Sequence, residues 1–187
     1  MKYSIQIIAG KYRGKKISFP EIDNIRPTPN RIKETLFNWL MHDIESARCL
    51  DAYAGSGSLG LEAFSRGASS VTFIEQNAIA FKHLNDFCKT FKANNLHVIN
   101  TDIIKFITKN CSLKTSIFDI VFIDPPFSLP FPHDFIALLQ ETKMLKQNGL
   151  IYVEYKEPIT LNPEHWEQLK LKQTGQVAYA LYRKISL

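Results

Sequence analysis

The sequence predicts an α/β fold: a mostly parallel sheet with helices on both faces. From residue 47 onward, short apolar runs alternate with segments of helical periodicity, giving strand, helix, strand four times in succession. Several of these runs are followed by an acidic residue, as expected at the edge of such a sheet where ligands bind. The last segment alternates in polarity on both sides of Gly175, which predicts an antiparallel hairpin closing the sheet.

The first predicted element is a β-hairpin with a cationic turn. Two β-rich runs, residues 4–8 and 16–19, flank a turn that Gly10 and Gly14 bracket. The composition changes near residues 20–30. We therefore expect residues 1–25 to form a basic hairpin extension and residues 26–187 to form the main domain.

The second predicted element is a helix that runs to about His42. Thr28 is expected to be its N-cap, with Pro29 at the first helical position. Its expected apolar face consists of Ile32, Leu36, Trp39 and Leu40.

The remaining elements are short strands and amphipathic helices. The apolar runs are residues 48–51, 71–75, 97–100, 118–124 and 150–154. Helical spacing links Phe81, Leu84, Cys88 and Phe91, and approximately links Phe135, Leu138, Leu139 and Leu145. Residues 118–124 are apolar on both faces except at Asp119, which predicts a central strand. With residues 169–173 and 177–183 as the closing hairpin, the sheet has seven strands, the last of them antiparallel.

Composition excludes several classes of protein. The chain has 187 residues, 45% hydrophobic and 22% charged, which is typical of a folded domain rather than a disordered or fibrous one. No apolar run approaches the roughly 20 residues needed to cross a bilayer, so we expect a cytoplasmic protein without a membrane partner. The three cysteines are too widely spaced for a Cys-x-x-Cys site, and no histidine pair has helical ligand spacing, so we expect no metal.

Positive charge is concentrated at the N-terminus. The net charge is +5, and residues 1–35 hold eight basic against three acidic side chains, so the remainder is neutral. This asymmetry predicts an arm for a polyanion, although a solubilising basic surface is the alternative. The candidate residues are Lys11, Arg13, Lys15, Lys16, Arg26 and Arg31.

A glycine-rich turn follows the first strand of the predicted sheet. Gly55, Gly57 and Gly60 form a Gly-x-Gly-x-x-Gly pattern after Asp51, and Glu75 stands 20 residues after Gly55 at the end of the next strand. Such glycines allow close approach of a ligand, and the carboxylate can accept hydrogen bonds from a ribose diol. The pattern suits a dinucleotide as well as other adenosine cofactors.

The Asp124-Pro-Pro-Phe127 sequence indicates which of these cofactors the site would use. Consecutive prolines after a buried strand fix a rigid loop, in which Asp124 and the Pro125 carbonyl can accept both hydrogens of an exocyclic amine. Phe127 can stack on the ring that carries the amine. Hydride transfer has no need of this arrangement, whereas methylation of a ring amine does.

These motifs together resemble the class I S-adenosylmethionine-dependent methyltransferases, in the amino-methylating variety. Longer segments narrow the resemblance to the RsmD family of bacterial 16S ribosomal RNA guanine N2-methyltransferases. Those segments are residues 7–16, 26–40, 57–68 and 175–182. The chain departs from the family pattern at Ala9, where a second glycine is usual, at Pro29-Asn30 and at Ala52-Tyr53.

The resemblance implies the Rossmann-like class I fold, S-adenosylmethionine as cofactor, and methyl transfer to the N2 amine of a guanine. It implies that Gly55 to Gly57 hold the methionine part of the cofactor and Glu75 its ribose. Asp102 with the Ile103 N–H would read the adenine, and Asp51 would meet the cofactor's ammonium. The basic residues would bind RNA phosphates. The expected partner is 16S ribosomal RNA or the assembling small subunit, and the expected state is a monomer.

Three alternatives remain open on the sequence. The first is a methyltransferase for another amine, in DNA or protein. The second is a non-catalytic RNA-binding or assembly protein that keeps the fold. The third is a nicotinamide dehydrogenase.

Overall fold

The chain folds into a hairpin and a seven-stranded sheet, in a computed structural model that describes residues 2–20, 22, 28–110 and 117–185. The hairpin pairs β1 (Lys2–Gln6) with β2 (Lys16–Pro20) antiparallel. The sheet strands are β3 (Arg48–Asp51), β4 (Ser70–Ile74), β5 (Leu96–Ile99), β6 (Phe118–Ile123), β7 (Leu145–Tyr155), β8 (Trp166–Thr174) and β9 (Val177–Lys184). The helices are α1 (Asn30–Trp39), α2 (Ser58–Ser65), α3 (Ala78–Lys89), α4 (Ile103–Asn110) and α5 (His133–Glu141).

The strand order is β5-β4-β3-β6-β7-β9-β8. Strands β3 to β7 pair in parallel, and β9 runs antiparallel to both of its neighbours. The order reverses between β3 and β6, so these two strands end at the switch point where open α/β sheets bind ligands. The predicted mostly parallel sheet, its central strand and its antiparallel last strand are confirmed. We refer below to the edge where β3 to β7 end as the carboxyl edge.

Helices cover both faces of the sheet because alternate strand residues point to opposite sides. On one face, Cys49, Phe73 and Phe122 pack with buried side chains of α1, α2 and α3. On the other face, Leu50 and Val121 pack with α4 and α5. Among the described helices, none has both the length and the apolar character required to span a membrane.

Three predicted helices differ from the structure at their ends. Helix α1 begins at Asn30 rather than Pro29 and ends at Trp39 rather than near His42, and Thr28 does not cap it. Helix α3 ends at Lys89, before Phe91. Helix α5 ends at Glu141, and Leu145, expected on its apolar face, starts β7 instead. The end of α5 is fixed by the buried ammonium of Lys184, whose Nζ donates to the carbonyls of Leu139 at 2.8 Å and Thr142 at 3.2 Å. Cations near a helix C-terminus satisfy carbonyls that lack helical partners.

The hairpin is docked on α2. The Glu62 carboxylate accepts hydrogen bonds from the backbone N–H groups of Ile8 at 2.8 Å and Ala9 at 3.0 Å. The Ser65 carbonyl accepts one from Lys11 N–H at 2.7 Å. Gly10 has φ of +79°, and a Cβ there would lie 1.9 Å from the Ser65 carbonyl oxygen. This contact therefore requires glycine both for its backbone conformation and for its close approach.

The hairpin also shares the main core, since Ile5, Ile7, Ile17 and Phe19 are buried in the cluster that contains α1 to α3. The expected boundary between residues 25 and 26 lies outside the described residues and stays a prediction.

The basic tip of the hairpin, residues 10–16, lies away from the carboxyl edge. The tip contacts the last turn of α2. The residues that follow α2 lead into β4 and contact the segment that precedes β3. There, Ser46 N–H donates to the Gly67 carbonyl and Ser69 N–H donates to the Ala47 carbonyl, both at 2.8 Å. Helix α2 therefore separates the tip from the strand ends.

Candidate active site

Four carboxylates lie at the ends of neighbouring strands on the carboxyl edge. Asp51 ends β3, Glu75 follows β4, Asp124 follows β6, and Glu154 is the penultimate residue of β7. The first three were predicted as site residues. Glu154 was identified only as the end of an apolar run, although that is the same signal that identified the others. In the described part of the chain, no cluster of His, Cys, Asp or Glu side chains is arranged to hold a metal ion.

The glycine turn between β3 and α2 has the left-handed backbone that only glycine adopts readily. Gly55 has φ of +50° and Gly57 has φ of +77°. A Cβ on Gly57 would lie 2.4 Å from Cδ1 of Leu84 in α3. The turn thus packs directly against α3 and presents its backbone at the start of α2.

Glu75 ties this turn to the loop after β4. Its Oε2 accepts from Gly55 N–H at 2.7 Å, and its Oε1 accepts from Asn77 N–H at 2.6 Å. Burial raises the pKa of Glu75, while these backbone N–H groups oppose the rise. The Asn100 side chain donates to the Glu75 carbonyl at 2.7 Å and fixes the loop from the β5 side. Asn100 was not predicted, because an asparagine after a strand carries no distinguishing signal.

Asp51 is buried beneath the glycine turn. Its Oδ2 accepts from Gly60 N–H in the first turn of α2, at 2.9 Å. Burial raises the pKa of Asp51 to about 7; the Gly60 hydrogen bond lowers it, and the charges of Asp124 and Glu75 raise it further. Asp51 therefore holds the first turn of α2. The free-energy cost of burying its carboxyl group is larger when that group is ionised.

Replacing Asp51 with asparagine is expected to flatten the dependence of stability on pH. Folding raises the Asp51 pKa from 3.8 to about 7, so the folded state binds a proton that the unfolded state releases across that window. The free energy of unfolding should accordingly fall as pH rises from about 4 to 7, by up to about 4 kcal/mol from this group. Urea unfolding at pH 5, 6, 7 and 8 without cofactor measures this; parallel curves for parent and Asp51→Asn would contradict it.

The Asp124-Pro-Pro-Phe127 loop continues from the central strand β6. Oδ2 of Asp124 accepts a hydrogen bond from the Thr28 hydroxyl at 3.0 Å. The Phe127 ring is 38% exposed and lies nearly perpendicular to the Tyr155 ring, with centroids 6.1 Å apart. The loop thus carries a carboxylate and, three residues later, a partly exposed aromatic ring.

The loop of residues 128–132 is held to β7. The Tyr155 hydroxyl donates to the Leu129 carbonyl at 2.8 Å. Phe131 is buried against Tyr155, with ring centroids 5.2 Å apart. Tyr155 thus supports both this loop and the Phe127 ring.

Asp124 and Glu154 form a pair of adjacent carboxyl groups. Ile123 pairs with Val153 in register, so the residues that follow them are neighbours on β6 and β7. Burial and the nearby Asp124 charge raise the pKa of Glu154, whose Oε2 accepts from the Tyr152 hydroxyl at 2.7 Å. Burial also raises the pKa of Asp124, but the Thr28 hydroxyl lowers it. Burial therefore raises the pKa of both carboxyl groups, and in each a donated hydroxyl, from Thr28 or from Tyr152, opposes the rise.

Asp102 caps the helix that follows β5. Its Oδ1 accepts from the N–H groups of Ile104 at 2.9 Å and Lys105 at 3.1 Å, at the start of α4. Ile103, the first residue of α4, is buried. Both residues lie at the carboxyl edge, and their expected contact with adenine stays a prediction.

The predicted phosphate-binding residues do not form one cluster. Lys11, Arg13 and Lys16 are exposed on the basic tip. Lys15 is directed at α3: its Nζ donates to the Thr90 hydroxyl at 3.0 Å and lies 3.8 Å from the centroid of the Phe91 ring. Arg31 is exposed in the first turn of α1, three residues after Thr28, whereas Arg26 lies outside the described residues.

This strand order, the antiparallel last strand and the glycine turn are those of the class I S-adenosylmethionine-dependent methyltransferases, and the chain is a protein of that class. The chain belongs to the family described as Conserved hypothetical protein 95, whose family model matches residues 5–183.

Relatives of this chain agree with that assignment. It is 44% identical to "Ribosomal RNA small subunit methyltransferase D" of Haemophilus influenzae, over 97% of this chain and 95% of the relative. Its structure superimposes on "Putative methyltransferase yhhF from Escherichia coli" with a TM-score of 0.88, at 38% identity, over 99% and 100% of the two chains. The resemblance to the RsmD family is thereby confirmed.

A more distant solved structure shows the same fold. "SMU.776, a putative methyltransferase complexed with SAH" has a TM-score of 0.71 at 13% identity, over 97% of this chain and 56% of that one. The fold therefore extends to chains with little sequence in common with this one.

Proposed function

We propose that this protein transfers the methyl group of S-adenosylmethionine to the N2 amine of a guanine in 16S ribosomal RNA. The observation that carries the proposal is the Asp124 carboxylate, held at the switch point in the loop that also carries the exposed Phe127 ring. The relatives named as ribosomal RNA methyltransferases support the class of RNA.

The cofactor fits the described residues at the carboxyl edge. The turn at Gly55 and Gly57 has no side chains to obstruct a ligand, and a methyl group on Gly57 would already clash with Leu84. Glu75 can accept ribose hydroxyls with the lone pairs that its backbone partners leave. Asp51 lies below the turn, where a ligand's ammonium group would favour its ionised form.

The bound cofactor supplies an electrophilic methyl carbon on a sulfonium. The protein's own contribution is to orient the amine. Guanine N2 is a weak nucleophile because its lone pair is delocalised into the ring. When Asp124 and the Pro125 carbonyl accept the two N–H groups, the lone pair can point at the methyl carbon.

Proton release follows methyl transfer without a strong base. The new N–C bond would form as the methyl–sulfur bond breaks and the sulfur leaves as a neutral thioether, so the amine becomes positively charged and far more acidic than the parent amine. Asp124, whose ionised form the Thr28 hydroxyl favours, can take that proton or pass it to solvent. Phe127 stacking would offset part of the few kcal/mol needed to unstack the guanine.

A methyl-transfer assay with several substrates tests the proposal. The protein is incubated with radiolabelled S-adenosylmethionine and, separately, 16S ribosomal RNA, assembled small subunits, DNA and protein. We expect label in RNA, recovered as N2-methylguanine after digestion. Label in DNA or protein would favour another amine as substrate. RNA binding without transfer would indicate an assembly protein, and calorimetry showing NAD binding with no S-adenosylmethionine binding would indicate a dehydrogenase.

Neutralising the exposed residues of the basic tip is expected to weaken RNA binding mainly at low salt. Removing one phosphate contact should flatten the slope of log K against log salt by roughly 0.9 for duplex and roughly 0.7 for single-stranded RNA. When Lys11, Arg13 and Lys16 are changed together to glutamine, we expect one such flattening of the slope for each phosphate contact that is lost. Lys15→Gln is the comparison, because its ammonium is engaged by Phe91 and Thr90.

Filter binding across a range of salt concentrations measures these slopes. A triple variant with the parent slope and affinity would show that the basic tip does not contact RNA. Equal slope changes in the Lys15→Gln protein would show that its ammonium reaches RNA after all.

A further inference from the structure

Thr28 has the sequence context of a helix N-cap but makes a different contact. Helix α1 starts two residues later, and no side-chain cap hydrogen bond is made at its first turn. The Thr28 hydroxyl instead donates to Oδ2 of Asp124, 96 positions along the chain, at 3.0 Å. Thr28 is 8% exposed. A buried hydroxyl is thus committed to the carboxylate at the switch point.

Both partners of this hydrogen bond stand on elements that pack against each other. Thr28 leads into α1, whose Ile32, Leu36 and Phe37 are buried in the core. The Phe37 ring lies 6.0 Å from that of Phe122, which is two residues before Asp124 on β6. Pro29 fixes the backbone between Thr28 and the helix. The hydroxyl therefore approaches Asp124 from a fixed direction.

One held oxygen restricts the rotation of a carboxylate. With Oδ2 accepting from Thr28, the plane of the Asp124 carboxyl group is set, and Oδ1 is left for another donor. Methyl transfer depends strongly on the angle at which a nucleophile meets the methyl carbon. An acceptor that is free to rotate would hold the substrate amine in many orientations.

We propose that Thr28 is a positioning residue for methyl transfer: its hydroxyl fixes Asp124 so that Oδ1 receives the substrate amine. This inference rests on the proposed function of Asp124. It also assigns a task to the stretch between the hairpin and α1, which therefore contributes directly to the arrangement of the active site.

The hydroxyl also acts on the charge of Asp124. The groups that face Asp124 are Glu154 and Tyr152 from β7, Asp51 from β3 and Thr28 itself. Burial disfavours a negative charge on Asp124, whereas donation from Thr28 favours it. Without the hydroxyl, the pKa of Asp124 should rise, and the acidic limb of the pH–rate profile should move to higher pH.

The test compares Thr28→Val, which keeps the shape and loses the hydroxyl, with Thr28→Ser, which keeps the hydroxyl. We expect kcat to fall about tenfold in Thr28→Val and to stay within about threefold of the parent in Thr28→Ser. The dissociation constant of S-adenosylmethionine should not change in either. Thr35→Val is the matched control. Among the described residues, the Thr35 hydroxyl donates only to the Arg31 carbonyl of its own helix.

A double-mutant cycle with Asp124→Ala, which removes the acceptor of the Thr28 hydroxyl, separates this inference from the proposed function. If Thr28 acts through Asp124, adding Thr28→Val to Asp124→Ala should lower kcat no further. Equal losses in the valine and serine variants, independent effects in the cycle, or an unmoved acidic limb would overturn the role of Thr28. Full activity in Asp124→Asn and Asp124→Ala alike would instead overturn the proposed function.

Discussion

Replacing Asp124 with alanine is expected to lower kcat for methyl transfer by about 10²–10³-fold. The carboxylate is the charged acceptor of the site, and removing one preorganised electrostatic partner of a transition state typically costs this much. Its partner Thr28 and its neighbour Glu154 remain, but neither can reproduce a charged acceptor at that position. Most of the loss should appear in kcat, because Asp124 acts on the amine as it reacts.

Asp124→Asn provides the matched control for shape. It keeps one acceptor oxygen but no charge, so we expect a smaller loss than in Asp124→Ala. Single-turnover assays on RNA give the rate, and calorimetry with S-adenosylmethionine should give a dissociation constant within about threefold of the parent. Cofactor binding that is lost together with activity would show that Asp124 holds the cofactor rather than the substrate.

The largest expected loss of stability comes from Gly10→Ala. At φ of +79° an alanine is strained, and its Cβ would lie 1.9 Å from the Ser65 carbonyl oxygen, which belongs to the backbone of α2 and cannot rotate away. The strain and the displacement of the hairpin should together lower the free energy of unfolding by about 2–5 kcal/mol.

Gly14→Ala is a close control in the same turn. Gly14 has φ of +85°, but a Cβ there would meet no atom within 4 Å. It should therefore show the backbone strain alone, about 1–2 kcal/mol. Urea unfolding of both variants measures the difference; equal losses would mean that the hairpin does not need its contact with α2.

The strands were predictable because hydrophobic periodicity is a local property. Residues 48–51 and 118–124 were identified nearly to the residue as β3 and β6. Acids that follow such runs must lie at the carboxyl edge, so Asp51, Glu75 and Asp124 could be assigned to one site before their distances were known. Glu154 obeys the same rule, so its place in the site was also predictable from the pattern of the sequence.

Polar partners distant in the sequence could not be predicted. Thr28 before Pro29 looks like a cap, because the local pattern says nothing about a carboxylate 96 positions away. Glu62 has the appearance of an ordinary helix acid, yet it is fully buried and binds the hairpin backbone. Periodicity identifies which face of an element is buried; it does not identify which atoms meet there.

The placement of the basic tip at the far end of α2 sets a minimum length for the RNA. Helix α2 has 8 residues, so it spans about 12 Å at about 1.5 Å per residue. An RNA bound at both the tip and Asp124 must cover at least that distance, about three to four nucleotide steps at roughly 3.4 Å each. A fragment that ends closer to the target guanine than this would reach only one of the two. The protein should then bind RNA that extends beyond this length more tightly than shorter fragments that carry the same guanine.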